Sequence, residues 1–151
     1  DHSLKHRFIF AFTISPEKVQ KTLEQKTSSF TGRLRAASLL ASFQFSVRLC
    51  LDPLLYVENW KEQYFTLIKT IFSFLSEENI RDISVGTFRV SKEYLKRMRK
   101  QRPDSYILQY PYETKSGVFQ YEEKLEKELL ETVIGYLSNY ISSEKIFVWK
   151  G

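Results

Sequence analysis

The sequence has 151 residues, 42% hydrophobic and 15% aromatic, enough for one buried core and too rich in Phe and Tyr for a disordered chain. A net charge of +5, from 23 basic and 18 acidic residues, permits an anionic partner without requiring one. One cysteine excludes an internal disulfide, and no run approaches the roughly 20 apolar residues of a membrane span, so we expect a single domain over residues 1–151, in a reducing, cytoplasmic setting with no membrane partner.

Asp1 opens the chain and Met98 is its single methionine, so the expectation is a piece of a longer or processed protein. His2 and His6 are spaced like helix ligands but lack a carboxylate or cysteine nearby, and they read as surface residues. From Arg7 to Ser15 the chain reads RFIFAFTIS. Strand side chains alternate between faces, which puts Phe8, Phe10, Phe12 and Ile14 opposite Arg7, Ile9, Ala11, Thr13 and Ser15. Ser15, Pro16 and Glu17 then cap a helix expected from about Pro16 to Gln25. Thr27, Ser28 and Ser29 start a second one, with Phe30, Leu34, Ala37 and Ala41 at helical spacing. Gln44 stands where a glycine often ends such a helix.

Phe45 to Pro53 is the central stretch. Phe45, Val47, Leu49 and Leu51 share an apolar face, and Ser46, Arg48, Cys50 and Asp52 share the other. Asp52 ends the strand before a proline, and the carboxyl ends of strands are where βα folds bind ligands. Leu54 to Asn59 reads as a loop ending in a cap candidate. Trp60, Tyr64, Leu67, Ile68, Ile71, Phe72 and Leu75 mark the strongest helix. A third strand follows from Ile80 to about Phe88, with Ile83 and Val85 opposite Asp82, Ser84 and Gly86. The alternation of strands and helices predicts three parallel strands joined by right-handed crossovers. A small or polar strand face suits a barrel wall around a ligand; a plainly solvated face is the other reading.

Ser91 caps a helix from Lys92 to Gln101 bearing Lys92, Lys96, Arg97, Arg99 and Lys100, with Arg102 beyond, against the single acid Glu93. This patch would meet phosphates, or it is a solvated face whose last-turn cations favour the helix dipole. Ser105 to Tyr121 reads as a hairpin, an aromatic strand ILQYPYE returning through Lys-Ser-Gly as VFQY. Tyr106, Tyr110, Tyr112, Phe119 and Tyr121 would stack on bases, or would pair across strands. A last helix from about Glu122 to Tyr140 aligns Leu125, Leu129, Val133, Tyr136, Leu137 and Tyr140, and Glu144 to Trp149 forms a final strand. The sequence holds no internal repeat, phosphate-binding glycine loop, zinc-spaced cysteine pair or nucleophile motif, and Cys50 reads as a small packing residue.

The tracts FAFTISPEKV, TGRLRAASLL to FSVRLCLDPLL, YVENWKEQY and ISVGTFRVSKEYLKRMRKQRPDS, followed by an aromatic hairpin, resemble in order and spacing the later half of the radical S-adenosylmethionine domain of the spore photoproduct lyase family. The resemblance covers nearly the whole chain. It implies an α/β fold, half of a partial (β/α)6 TIM-like barrel with three parallel strands, a hairpin insertion at about 105–121 and a C-terminal helix. It also implies a cofactor cavity at the carboxyl ends of the strands, lined by Thr13, Ser15, Arg48, Asp52, Ser84 and Gly86. Thr13 stands where relatives usually have Ser.

The same resemblance makes DNA the partner. Arg97, Arg99, Lys100, Tyr110, Tyr112, Lys115 and Tyr121 are its candidate contacts. The family's cofactors are S-adenosylmethionine and a 4Fe-4S cluster held by a CxxxCxxC loop, and its chemistry splits linked thymines by a carbon radical. That loop would lie before Asp1. Cys50 alone cannot ligate a cluster, so the chain alone is expected to bind no cofactor and to be inactive, and to meet the missing N-terminal half of the barrel or self-associate through open strand edges. The rival readings are a non-catalytic nucleic-acid-binding domain using helix 92–102 and the hairpin, and a degenerate half-barrel serving only assembly.

Overall fold

The computed structural model describes residues 7–17, 19 and 29–149. His2, His6, and most of the helix expected over 16–25 lie outside the described residues.

Strand β2, Ser46–Leu54, runs through the middle of the molecule, and its exposure alternates with the residue pattern. Val47, Leu49, Leu51 and Leu54 are buried, while Ser46, Arg48, Cys50 and Asp52 are half-buried. Burying each of those aliphatic side chains contributes about 1.5–3 kcal/mol. The strand continues one residue past Pro53, through a cis Asp52–Pro53 peptide. Strands β1 (Ile9–Thr13) and β3 (Ile80–Thr87) pair with it in parallel on either side.

A fourth parallel strand, β7 (Ile146–Val148), adds to β3, so the sheet order is β1-β2-β3-β7. The expectation of three parallel strands is therefore one short. Its final strand was legible as a strand, but a tripeptide carries no mark of what it pairs with. Ser142 and Lys145 secure it: the Ser142 N–H donates to the Glu77 carboxylate at 2.9 Å, and Lys145 Nζ donates to the Glu77 and Ile80 carbonyls at 2.8 and 2.9 Å.

Helices α1 (Phe30–Ser42), α2 (Trp60–Phe74) and the later α5 (Glu123–Leu137) supply the rest of this core through Leu34, Ala37, Tyr64, Ile68, Ile71, Leu129 and Val133. Ser29 starts α1 by accepting the Gly32 N–H at 3.1 Å. Gln44 makes the next turn with φ of 64°, the left-handed conformation usually left to glycine, at a cost of about 1 kcal/mol. Asn59, the expected side-chain cap of α2, is also left-handed and makes no capping bond through its side chain. Its carbonyl instead accepts the Gln63 N–H at 3.0 Å. In β1 the bulky face is only partly covered. Phe8 and Phe10 are exposed, and burial begins with Phe12 and Ile14, because β1 is an outer strand.

Ser91 caps helix α3 (Lys92–Gln101) by accepting the Tyr94 N–H at 3.3 Å. The expected long aromatic strand after it is corrected. Tyr106–Gln109 forms a short helix, α4, whose start Ser105 caps by accepting the Leu108 N–H at 3.4 Å. The hairpin is shorter, β5 (Glu113–Lys115) and β6 (Val118–Gln120), turned by Ser116 and Gly117 at φ of 52° and 78°. A strand the sequence did not announce, β4 (Arg89–Ser91), pairs with β6 to make a second, antiparallel sheet. Among the described residues no helix is long and apolar enough to cross a membrane.

Candidate functional site

The face of the parallel sheet away from the buried core carries the candidate residues. In-register parallel strands place paired residues on one side of a sheet, and residues two apart keep that side. Ala11, Arg48 and Asp82 form one row; Thr13, Cys50, Ser84 and Phe147 form the next. The register slips between Val47 and Arg48, so Arg81 is extra on β3. That slip lets Ile80 point into the core with Val47 while Asp82 still lies beside Arg48.

Arg48 and Asp82 make a two-point ion pair, with Arg48 Nε donating to Oδ1 and one terminal nitrogen donating to Oδ2 at 2.8 Å. Asp82 is 4% exposed, so its charge needs this partner. The hydrogen bond from the Arg48 side chain to Asp82 holds the guanidinium pKa above its ordinary value. The fork is fixed across two strands and leaves the outer part of Arg48 open.

At the carboxyl end of β2, Asp52 pairs with Arg89, whose terminal nitrogens reach Oδ2 at 3.0 Å and Oδ1 at 3.5 Å. Arg89 also donates to the Thr87 carbonyl at 2.9 Å. Gly86 makes room for this pair: a Cβ there would sit 2.9 Å from both the Asp52 carboxylate and the guanidinium. Ser84 is half-buried; Thr13 is exposed, and its carbonyl accepts from Arg33 at 2.8 Å. Ser15 is half-buried beyond the end of β1. Five of the six residues expected to line a cavity thus lie on one face or at its carboxyl edge, and Ser15 lies just past it.

Sequence reasoning missed two partners. Asp82 was visible on the polar face, and its opposite charge to Arg48 on a neighbouring strand was the available signal. Arg89 sits beyond the strand end, and nothing in its spacing ties it to Asp52. Among the described residues no group of three His, Cys, Asp or Glu is placed to hold a metal. Cys50 is a half-buried free thiol in the middle of the open row.

The residues expected to meet nucleic acid divide. Tyr112 and Tyr121 are 7% and 1% exposed, packed against each other, Tyr110 and Tyr56 at centroid distances of 5.0–6.5 Å. The Tyr121 hydroxyl accepts the Tyr56 N–H at 2.9 Å, and the Tyr112 hydroxyl donates to the Ile107 carbonyl at 2.8 Å. Burial raises both phenol pKa values. Their rings form a core between α4 and the hairpin, so base stacking on them is corrected to packing. Tyr110 is half-buried in the same cluster. Arg99 holds that cluster from outside, donating to the Leu108 and Tyr110 carbonyls at 2.6 and 2.9 Å. Arg97 lies over the Tyr94 ring at 5.5 Å, and Lys100 and Lys115 are exposed.

The family model for spore photoproduct lyase matches residues 1–146. A curated spore photoproduct lyase from Geobacillus sp. is 25% identical over 96% of this chain and 45% of its own length. Two solved structures are similar in fold. One, a spore photoproduct lyase mutant with bound AdoMet and dinucleoside spore photoproduct, has a TM-score of 0.77 at 24% identity over 98% of this chain and 47% of that one. Another mutant with dinucleoside spore photoproduct has a TM-score of 0.76 at 22% identity, over 93% of this chain and 44% of that one. The chain thus spans a little under half the length of these relatives. With residues 1–146 matched, the chain belongs to the spore photoproduct lyase family.

Proposed function

We propose that this chain is the C-terminal part of a radical S-adenosylmethionine enzyme resembling spore photoproduct lyase, acting on thymine-dimer-type lesions in DNA. The open sheet face would be half the wall of its cofactor cavity, in a partial (β/α)6 barrel. The observation that carries this reading is the row Thr13, Cys50 and Ser84 on adjacent parallel strands, ending at the Asp52–Arg89 pair. Helices seal the opposite face, so a ligand has one side to approach.

The donor set fits S-adenosylmethionine and does not fit an iron–sulfur cluster. Thr13 and Ser84 offer hydroxyls that both donate and accept, and Arg48 offers a cation held in place on the open face. S-adenosylmethionine, when bound and reduced, supplies hydrogen-abstracting radical chemistry; these side chains position it. Asp82 holds Arg48 in place, and Arg89 holds Asp52 at the rim. A cluster needs several thiolates, and Cys50 is the single cysteine of the sequence. The chain alone is therefore expected to be inactive.

The outer edges of β1 and β7, beside exposed Phe8, Phe10, Phe147 and Trp149, are where the missing half of the barrel would pair. Without that half the same edges would drive self-association. A reducing, cytoplasmic location accords with this chemistry.

Calorimetric titration of the natural gene product with S-adenosylmethionine tests the reading. Binding should weaken at least tenfold in Ser84→Ala, which removes the hydroxyl and its hydrogen bonding and adds no bulk. Unchanged affinity in the variant, or no binding by the parent, overturns the proposal. A non-catalytic nucleic-acid-binding domain would give the second result while still binding DNA.

A further inference from the structure

Helix α3 carries a charge pattern that folding does not account for. Lys92, Lys96 and Lys100 fall four residues apart, so they lie along one side of the helix at steps of about 6 Å. All three are exposed, and among the described residues no carboxylate makes an ion pair with any of them. Like charges four apart on a helix repel. The helix dipole explains cations in the last turn, Arg99 and Lys100, but it opposes Lys92 at the first position. The stripe therefore adds no stability to the helix at its start, and it stands exposed at the surface.

The surroundings indicate what the stripe serves. Lys92, Lys96, Arg99, Lys100 and Phe119 line one groove of about 440 Å³ between α3 and β6. Arg99 forms part of its wall, with its guanidinium 5.9 Å from the Phe119 ring and its nitrogens committed to the Leu108 and Tyr110 carbonyls. Arg99 thus builds the groove, and the three lysines remain available to a ligand. A row of cations at about one helical turn per step can follow the phosphates of one flexible nucleic-acid strand, and a half-exposed ring beside it offers a surface to a base.

We propose that Lys92, Lys96 and Lys100 form a phosphate track for one strand of DNA, with Phe119 at its side. The proposal rests on the reading that the substrate is DNA, and moves the phosphate contacts from Arg97 and Arg99 to the lysine stripe. Lysines suit this role as point charges that need no fixed geometry.

Fluorescence anisotropy of a labelled twelve-residue oligothymidylate with the 151-residue chain, at several salt concentrations, is the test. Each neutralised phosphate of a single strand contributes about 0.7 to the salt slope, so replacing all three lysines by Gln should lower the slope by about 2. Affinity at low salt should fall at least tenfold, with the circular dichroism spectrum unchanged. Lys69→Gln with Lys124→Gln, two exposed cations elsewhere, should leave both the slope and the affinity nearly unchanged, whereas an indiscriminate charge effect would lower the slope by about 0.7 per lysine. A triple variant that binds like the parent overturns the track but not the DNA reading. Anionic phosphatidylserine vesicles captured through the same lysines, with no oligothymidylate binding, overturn the track in favour of a lipid surface. Loss of S-adenosylmethionine binding alone would refute the lyase reading and leave the track standing.

Discussion

On the helix side of the parallel sheet, Val47, Leu49, Leu51, Ile83 and Val85 are at most 1% exposed. One residue along on the same strands, Arg48, Cys50, Asp52 and Ser84 stay half-exposed, and the buried Asp82 is reached by a guanidinium. The two faces share every backbone hydrogen bond, so they differ only in what the side chains do. The sealed face supplies stability through apolar burial, which is insensitive to small shifts. The open face is organised by two ion pairs that fix direction and contribute little net stability at this exposure. A chain that positioned S-adenosylmethionine, as proposed, would need both, on opposite sides of one sheet.

Truncating the sealed face should have the largest effect. Leu49→Ala removes a fully covered side chain from the centre of β2 and should cost about 3 kcal/mol, read by denaturant unfolding. Cys50→Ala, its neighbour on the open face, should change stability by less than about 0.5 kcal/mol. Equal losses at the two positions would break the distinction between the faces.

A smaller effect should separate stability from site geometry. In Gly86→Ala the new methyl would lie 2.9 Å from the Asp52 carboxylate and the Arg89 guanidinium, so the pair must move aside. The expected cost is about 1 kcal/mol, because side-chain ends move more easily than backbone. If the open face positions S-adenosylmethionine, the natural gene product carrying this change should lose ligand affinity as well as that small increment of stability. A fall in stability with unchanged affinity would show that the Asp52–Arg89 pair is only structural.

These two faces were readable from residue order because period-two alternation survives folding wherever helices cover one side only. The same logic failed over 105–121. There Ile107 and Leu108 pack as one helical turn under α3, and Tyr112 and Tyr121 turn inward, so aromatic content alone suggested a longer strand than exists. Pairings between distant segments were also hidden. β4 with β6, β3 with β7 and Asp52 with Arg89 are choices of tertiary packing, and a tripeptide strand or a lone arginine carries no periodicity to announce them. The sites along continuous strands were legible; the partners that complete them were not.

The weakest expected effect lies where the last strand joins the sheet. Glu77 accepts the Ser142 N–H, and this backbone bond, then a bond to the Ser142 side chain and the nearby Lys145 charge, holds its carboxyl pKa below the ordinary 4.5. A lowered folded-state pKa means that the ionised form is favoured by folding, so its contribution is fully present above about pH 4.5 and is lost as pH falls through the lower folded value. Glu77→Gln keeps an oxygen for Ser142 but no charge. Its midpoint of thermal unfolding should therefore sit slightly below the parent at pH 7 and converge with it in acid, where the parent carboxyl is protonated. The gap should be small because the carboxylate lies at the surface, half-exposed, where salt screens it. A difference persisting at pH 2 would mean that the substitution disturbs the Ser142 contact itself, and that β7 is attached to the sheet by shape rather than by charge.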